Sequence, residues 1–318
     1  MVKDKLIYKV LYNYYEKGLT QQEVADKYHI SRIKVSRMIT KALTDKIVQV
    51  RINLPTDPTD ELEQRIEEIF GIEEAIVVPV RSGNIVDDLG QAAASYLALH
   101  IQNHDIIGIT WGRFVSASIN ALQPMNCPDI RVVQILGGLG DPDSGIHGTG
   151  QVIRMANVLK AKPWPLNSPG IVKSKELREA LMENAQISET LKLAEKATIV
   201  LAGIGTFHPT ASLRNKSEII SENEIQSLVM KGAVGNISLR SFDEQGNYIR
   251  DDIDDRVVGL TCDQIRRIPR FIGVAGGIEK HQAILAALRG KWINTIITDD
   301  QTAKFLIGSS NLPERSGI

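Results

Sequence analysis

Little in this chain would cross-link it, hold a metal or anchor it in a bilayer. Its 318 residues include two cysteines. Cys127 and Cys262 stand far apart with no partner spacing, which fits a reduced cytosol better than a disulfide framework. Neither has a histidine at metal-ligand spacing, so no zinc site is expected. No apolar run approaches the ~18–20 residues of a membrane span. The opening MVKDKLIYKVLYNYYEKG reads as a charged amphipathic helix rather than a signal peptide. Low-complexity segments and fixed-period repeats are missing. So is a Walker-type G-x-x-x-x-G-K-[ST], which argues against nucleotide hydrolysis. What is present is 43% hydrophobic and 24% charged residues, the composition of a chain that buries a sizeable core, at a length that suggests two or more domains.

Charge is divided unevenly. Residues 1–54 hold eleven Lys/Arg against five Asp/Glu, a balance of +6, while the whole chain carries −1. A basic head on an acidic body points to a segment made for polyanions. Within that head, Thr20 to Lys41 reads as two short helices joined by a tight turn. Thr20 and Glu23 form a T-x-x-E capping box, and Ser31 is a second N-cap. The second helix is expected to turn Val35, Met38, Ile39, Ala42 and Leu43 inward and to present Ile33, Lys34, Ser36, Arg37, Thr40 and Lys41 outward. That asymmetry is what a helix-turn-helix needs to lay one face in a major groove. Arg and Lys reach phosphates or guanine edges, Ser contacts either, and Ile33 suits a thymine methyl. The DNA-contacting set is therefore Thr20, Gln21, Ser31, Ile33, Lys34, Ser36, Arg37 and Lys41. A first helix over 4–17 precedes it, closed by Gly18. A short β segment over IVQVRIN follows, as a wing or hairpin strand that brings Arg51 to the DNA backbone.

Pro55-Thr56-Asp57-Pro58 reads as a linker, dividing a DNA-binding domain (1–54) from a second domain (55–318). Thr59 is expected to cap a helix to Phe70 with Leu62, Ile66, Ile69 and Phe70 as its stripe. The stripe suits either docking on its own body or pairing with a second subunit. Beyond it, short apolar runs at 75–80, 105–110, 130–136, 197–204, 271–276 and 294–299 alternate with helical segments. This predicts a Rossmann-like, mostly parallel α/β sheet with helices on both faces. NISLRSFDEQGNYI reads instead as an antiparallel hairpin at one edge.

Ligands of such sheets bind at the carboxyl ends of strands. Here those ends are rich in glycine: Thr110-Trp111-Gly112-Arg113, Gly137-Gly138-Leu139-Gly140, Gly203-Ile204-Gly205-Thr206 and Gly276-Gly277, the last followed by Glu279 and Lys280. Glycine lets backbone N–H groups approach an oxyanion, and a following helix N-terminus adds a favourable field. A tight strand-to-helix turn also needs glycine for steric reasons alone. The first strand lacks G-x-G-x-x-G, which leaves a smaller anion such as a sugar phosphate in place of a dinucleotide.

These motifs, in this order, resemble the SorC family of bacterial transcriptional regulators: GLTQQEVADKYHISRIKVSRMI, GITWGR, GGLG followed by Gln151, LAGIG, KGAVGN, GVAGG-x-x-K ending at Lys280, and INTIITDDQTA. The resemblance implies an N-terminal helix-turn-helix and a sugar-binding domain related to sugar-phosphate isomerases and deaminases. It implies a phosphate near Trp111, Gly112 and Arg113, polar sugar contacts from the loop before Gln151, from Gln151 and from Asn236, and a basic group at Lys280. Asn236 departs from the acidic residue frequent at that position, Phe114 stands where some members carry Thr, and Leu136 offers no charge for a second phosphate. A ligand with one phosphate is therefore favoured.

The expectation is a cytoplasmic DNA-binding regulator of a carbohydrate-utilisation operon, a homo-oligomer (dimer or tetramer). Its partners are operator DNA and a phosphorylated sugar or sugar alcohol. It needs no metal, cofactor or catalytic residue. Two other readings compete. In one, Asp141, Asp143, Glu279, Asp299, Asp300, His147 or His208 supplies a general base to an isomerase or deaminase. In the other, the helix-turn-helix serves only protein contacts, against which the +6 balance argues.

Overall fold

The computed structural model describes residues 2–50, 58–81, 83–138, 148–207 and 220–310. The chain divides into two compact units, Met1–Thr56 and Asp57–Ile318.

The first unit is helical: α1 (Val2–Tyr15), α2 (Gln21–Tyr28) and α3 (Arg32–Thr44). Val10, Leu11, Val24, Ala25, Val35, Ile39 and Ala42 form its core, each large aliphatic contributing at most about 1.5–3 kcal/mol. The capping box is present, with the Glu23 carboxylate accepting from Thr20 N at 2.8 Å and Glu23 N donating to Thr20 Oγ1 at 3.2 Å. Ser31 Oγ accepts from Lys34 N at 3.2 Å. His29 ends α2 in the left-handed region (φ 54°), making the turn without glycine. Buried Asn13 ties α1 to α2, donating to Tyr28 Oη and accepting from Lys27 Nζ, each at 2.8 Å.

Two details differ from expectation. Leu43 is 42% exposed, because α3 is in its last turn and the core has already closed at Ala42. Residues 47–50 form no strand: Ile47 and Val48 instead return their N–H groups to the Ala42 carbonyl, and of the described part of the expected wing only Val48 packs against the core, Ile47 and Val50 being mostly exposed. Arg51 and most of the linker lie outside the described residues.

The second unit opens with α4 (Asp60–Phe70). Thr59 stands at its N-cap but in a helical conformation (ψ −19°), so its side chain makes no cap bond. The stripe docks on its own body: Ile66 and Phe70 join the core while Ile69 is left 38% exposed. Further helices are α5 (Ile85–His100), α6 (Arg113–Ala121) and α7 (Gly148–Leu159), with Lys175–Met182, Ala185–Ala194, Glu222–Met230, Cys262–Ile265, His281–Arg289 and Asp300–Ser310 beyond them. None of the described helices is long and apolar enough to cross a membrane.

The strands are β1 (Glu74–Val78), β2 (Ile106–Ile109), β3 (Arg131–Gln134), β4 (Lys162–Trp164), β5 (Ile199–Gly203), β6 (Gly205–Thr206), β7 (Gly235–Ile237), β8 (Arg240–Phe242), β9 (Tyr248–Ile249), β10 (Arg270–Val274) and β11 (Thr295–Asp299). The larger sheet is seven-stranded and parallel, in the order β1-β11-β10-β5-β2-β3-β4. One apolar cluster covers the face under α5, α6 and α7; another covers the face under α4, Ala185–Ala194, His281–Arg289 and Asp300–Ser310. After β2 the chain builds outward through β3 and β4, then returns to place β5 on the other side of β2. The β2/β5 boundary is thus a topological switch point, where the two following loops part and leave a crevice. The expected hairpin exists, yet not at the edge of this sheet. It belongs to a separate antiparallel sheet, β6-β7-β8-β9, that starts directly after β5.

Candidate functional site

The crevice at the switch point is a pocket of ≈ 120 Å³. Its walls are the β2 loop Thr110–Phe114, the β5–β6 segment Gly203–Thr206, Asn236, Ser238 and Leu239 of the small sheet, Leu136, and Glu279 with Lys280.

The β2 loop has the geometry of an anion cradle. Gly112 precedes α6 at φ 140°, a conformation that favours glycine, and a Cβ there would meet nothing within 4 Å. The amide ends of α6 therefore open onto the pocket without a capping side chain, the arrangement that attracts phosphate or carboxylate. Arg113, the first helical residue, is exposed beside it. Trp111 closes the wall, its Nε1 donating to the Gly137 carbonyl at 3.1 Å.

Lys280 comes from the opposite side. Its ammonium donates to the Ile204 carbonyl and lies 5.2 Å from the centre of the Phe114 ring. Burial, reinforced by the charge of Arg113 and opposed by Glu279, pushes its pKa down to about 8. Two cations thus converge on one small cavity, the situation that an incoming anion relieves.

The small sheet forms a neutral polar wall. Asn236 sits opposite Gly205 in the β6–β7 register. A Cβ at Gly205 would fall 2.6 Å from Asn236 Nδ2, so this glycine makes room for the amide. Gly203 does a different job: a Cβ there would meet nothing, and its absence widens the pocket.

In the first unit, the outer face of α3 carries Ile33 (67% exposed), Lys34, Arg37 and Lys41, with Ser36 partly covered. Lys34, Arg37 and Lys41 follow one helical stripe. No ion pair of theirs occurs among the described residues, so their charge faces solvent. Gln21 lies at the N-terminus of α2 in a shallow depression with Thr20 and Arg32. Thr20 and Ser31 commit their oxygens to capping, which leaves them as local anchors of the two helix starts.

Comparison with known proteins bears on both units. The Sugar-bind family of sugar-binding domains matches residues 55–308, and sigma-70 region 4 matches residues 8–45. The full-length sorbitol operon regulator SorC from Klebsiella pneumoniae is similar in structure, with a TM-score of 0.74 at 26% identity over 96% of this chain and 100% of that one. The chain belongs to the SorC family of sugar-binding transcriptional regulators. Among its relatives, the deoxyribonucleoside regulator of Bacillus subtilis (strain 168) is 30% identical over 298 residues, 92% of this chain and 94% of that protein. The erythritol catabolism regulatory protein EryD of Brucella abortus (strain 2308) is 27% identical over 317 residues, 97% and 98% of the two chains. This SorC-family chain is accordingly a transcriptional regulator with a DNA-binding helix-turn-helix and a sugar-binding domain.

The structure brings together Trp111, Gly112, Arg113, Gly203, Gly205, Asn236 and Lys280. Gly137 and Gly138 do not join them. Their N–H groups donate to Val258 O and Ser168 O, each at 2.9 Å, and a Cβ at Gly137 would fall 2.4 Å from Pro169 O. Gly137 is glycine because segment 168–170 crosses behind it, and neither residue offers a free N–H donor to an oxyanion. Gly140 lies outside the described residues, as do Asp141, Asp143, His147 and His208. Gln151 is 1% exposed and absent from the pocket walls, with neither amide atom hydrogen-bonded. Of the carboxylates in the enzyme reading, Asp299 accepts from Thr302 N at 2.9 Å and Gly277 N at 3.0 Å and Asp300 pairs with Lys304 at 2.7 Å, while Glu279 stands on the pocket wall. Thr110, Ile204 and Thr206 line the pocket as members of the glycine-rich loops, and Ser238 and Leu239 line it without having been singled out in the sequence.

Proposed function

We propose that this regulator controls a carbohydrate-utilisation operon and that a phosphorylated sugar or sugar alcohol sets its affinity for operator DNA. One observation carries the reading: Arg113 and the buried ammonium of Lys280 converge with the uncapped start of α6 on one pocket. A dianionic phosphate matches that charge, and Leu136 leaves no cation for a second one on the β3 side. Asn236 faces the remaining, neutral part of the ligand. The names of its relatives point the same way, since they speak of a sorbitol operon, a deoxyribonucleoside and erythritol catabolism.

Residues 1–54 read the operator in this scheme, through Gln21, Ile33, Lys34, Ser36, Arg37 and Lys41, with Thr20 and Ser31 holding the helix starts. Residues 55–318 bind effector and assemble a cytoplasmic homo-oligomer, a dimer or tetramer suited to a two-fold operator. The effector shifts DNA affinity only through unequal binding to the DNA-competent and DNA-incompetent states. Calorimetric titration of the full chain with sugar monophosphates and their parent sugars tests the ligand class. Binding of a monophosphate at least tenfold tighter than its parent supports it, and equal binding contradicts it.

A further inference from the structure

We propose that Ser238 is a specificity-determining residue of the effector pocket, hydrogen-bonding a ligand hydroxyl remote from the anionic group. The inference rests on the effector reading above and adds to it the class of ligand: a polyhydroxylated chain or ring whose far end is read by uncharged groups.

Two anomalies coincide at this residue. Ser238 and Leu239 form the two-residue turn between β7 and β8, with φ of 52° and 62°. Such turns favour Asn-Gly because both positions are left-handed; a Cβ-bearing pair is strained there. The Ser238 hydroxyl is also buried, at 6% exposure, with no hydrogen-bond partner among the described residues. Buried hydroxyls are ordinarily satisfied, and the exceptions call for an explanation. Glycine or asparagine would relieve the backbone, and alanine would remove the orphan. The chain keeps serine, and it does so on the wall of the pocket.

The surroundings hold the turn in place. Arg240, the first residue of β8, is 3% exposed and donates to Leu260 O from Nε and Nη2 and to Asp254 from Nη1, at 2.9–3.2 Å. Leu239 packs in the cluster with Leu136 and Phe207. The turn is thus over-determined on its far side and open on its pocket side. Asn236, in β7, and Ser238, in the turn that follows it, both line the pocket. The amide of Asn236 has no hydrogen-bond partner among the described residues. Amide and hydroxyl each both donate and accept, which suits sugar hydroxyls, and neither carries the charge that would attract or repel a phosphate. Arg113 and Lys280 grip the anion at one end of the ligand; Asn236 and Ser238 read hydroxyls at the other.

The test uses the full chain and its Ser238→Ala and Ser238→Gly variants. Inorganic phosphate probes the anion grip alone. Erythritol 4-phosphate, ribose 5-phosphate and sorbitol 6-phosphate probe the whole site, and the tightest of these for the unmodified chain is carried forward. Both variants should bind that polyol phosphate about tenfold more weakly, as expected for one lost hydrogen bond in a buried site, while their affinity for inorganic phosphate stays within twofold. Ser238→Gly should also raise Tm by about 1–3 °C by relieving the left-handed strain, which a purely structural serine would not do. Unchanged polyol phosphate affinity in both variants overturns the proposal and leaves the effector reading standing. Equal losses for polyol phosphate and inorganic phosphate, or a lowered Tm in both variants, give Ser238 a structural role and also overturn it. Failure of the unmodified chain to bind any of the sugar phosphates defeats the effector reading, and this inference with it.

Discussion

In the function proposed above, the outer face of α3 and the pocket at the β2/β5 boundary both meet phosphate, and they do so by opposite means. On α3 the cations are exposed, without an ion pair among the described residues, and spread along a helical stripe. In the pocket they are few, convergent and, at Lys280, stripped of water so that the pKa drops to about 8. Exposed charges are screened by salt and act by releasing counterions. Buried charges are screened little, but their own ionisation becomes the weak point. One polymer of many phosphates suits the first solution, and one small ligand with a single phosphate suits the second. DNA binding should therefore respond chiefly to salt, and effector binding chiefly to pH.

The largest effect expected from breaking the pocket side comes from Arg113→Ala combined with Lys280→Met. Two charge-assisted contacts at about 1.5–3 kcal/mol each disappear, so sugar phosphate affinity measured by calorimetry should fall more than a hundredfold, with effector-free operator binding unchanged. Arg37→Ala attacks the other region. Operator affinity should drop by about 1–3 kcal/mol if Arg37 reads a base, and effector affinity should stay as it was. In the same assay Lys34→Ala should lower the slope of log K against log salt by about 0.9, the signature of one lost phosphate contact. An unchanged slope would take Lys34 off the DNA face.

The pH dependence sharpens the contrast further. Lys280 is cationic below about 8 and loses its proton above it. Raising the pH from 7 to 9 should weaken sugar phosphate binding by up to about tenfold, because only about a tenth of the free pocket is then charged at Lys280. Binding at pH 9 should be accompanied by proton uptake, and Lys280→Met should flatten the profile. The folded-state pKa lies below the unfolded value, so burying this cation costs stability below pH 8, and that cost is relieved as pH rises toward the unfolded pKa. The smallest expected effect is Thr20→Ala. It should lower the thermal stability of the helix-turn-helix by about 1 kcal/mol through loss of the α2 cap, with a matching modest loss of DNA affinity.

Much of this was legible in the residues, for local reasons. The capping box, the Ser31 cap and the amphipathic stripe of α3 are written in neighbouring positions, so they could be read without knowing the fold. The central strands of the large sheet show as short, mostly apolar runs because both their faces are buried. β4 does not, since Lys162-Pro163-Trp164 is a short edge segment with a proline inside it. The Ser238-Leu239 turn was hidden because it lacks Asn-Gly chemistry.

The glycine-rich loops show the limit most clearly. Gly112 and Gly203 open a pocket, Gly205 yields to Asn236, and Gly137 yields to Pro169. In the sequence all of these look alike. What separates them is which distant segment crosses behind each one, and that is a property of the topology. Gln151 was expected among the ligand contacts because of the family pattern, yet it lies buried away from the pocket walls.

The central claim is that occupancy of the Arg113–Lys280 pocket by a phosphorylated sugar or sugar alcohol changes how the α3 face holds DNA. The most direct measurement is the operator affinity of the full chain, titrated at fixed salt with a panel of sugar monophosphates and their unphosphorylated parents. One monophosphate should change the affinity at least fivefold, its parent should not, and the Arg113→Ala, Lys280→Met protein should show no change with either. Tight DNA binding that no sugar phosphate alters, or that the parent sugar alters equally, would contradict it.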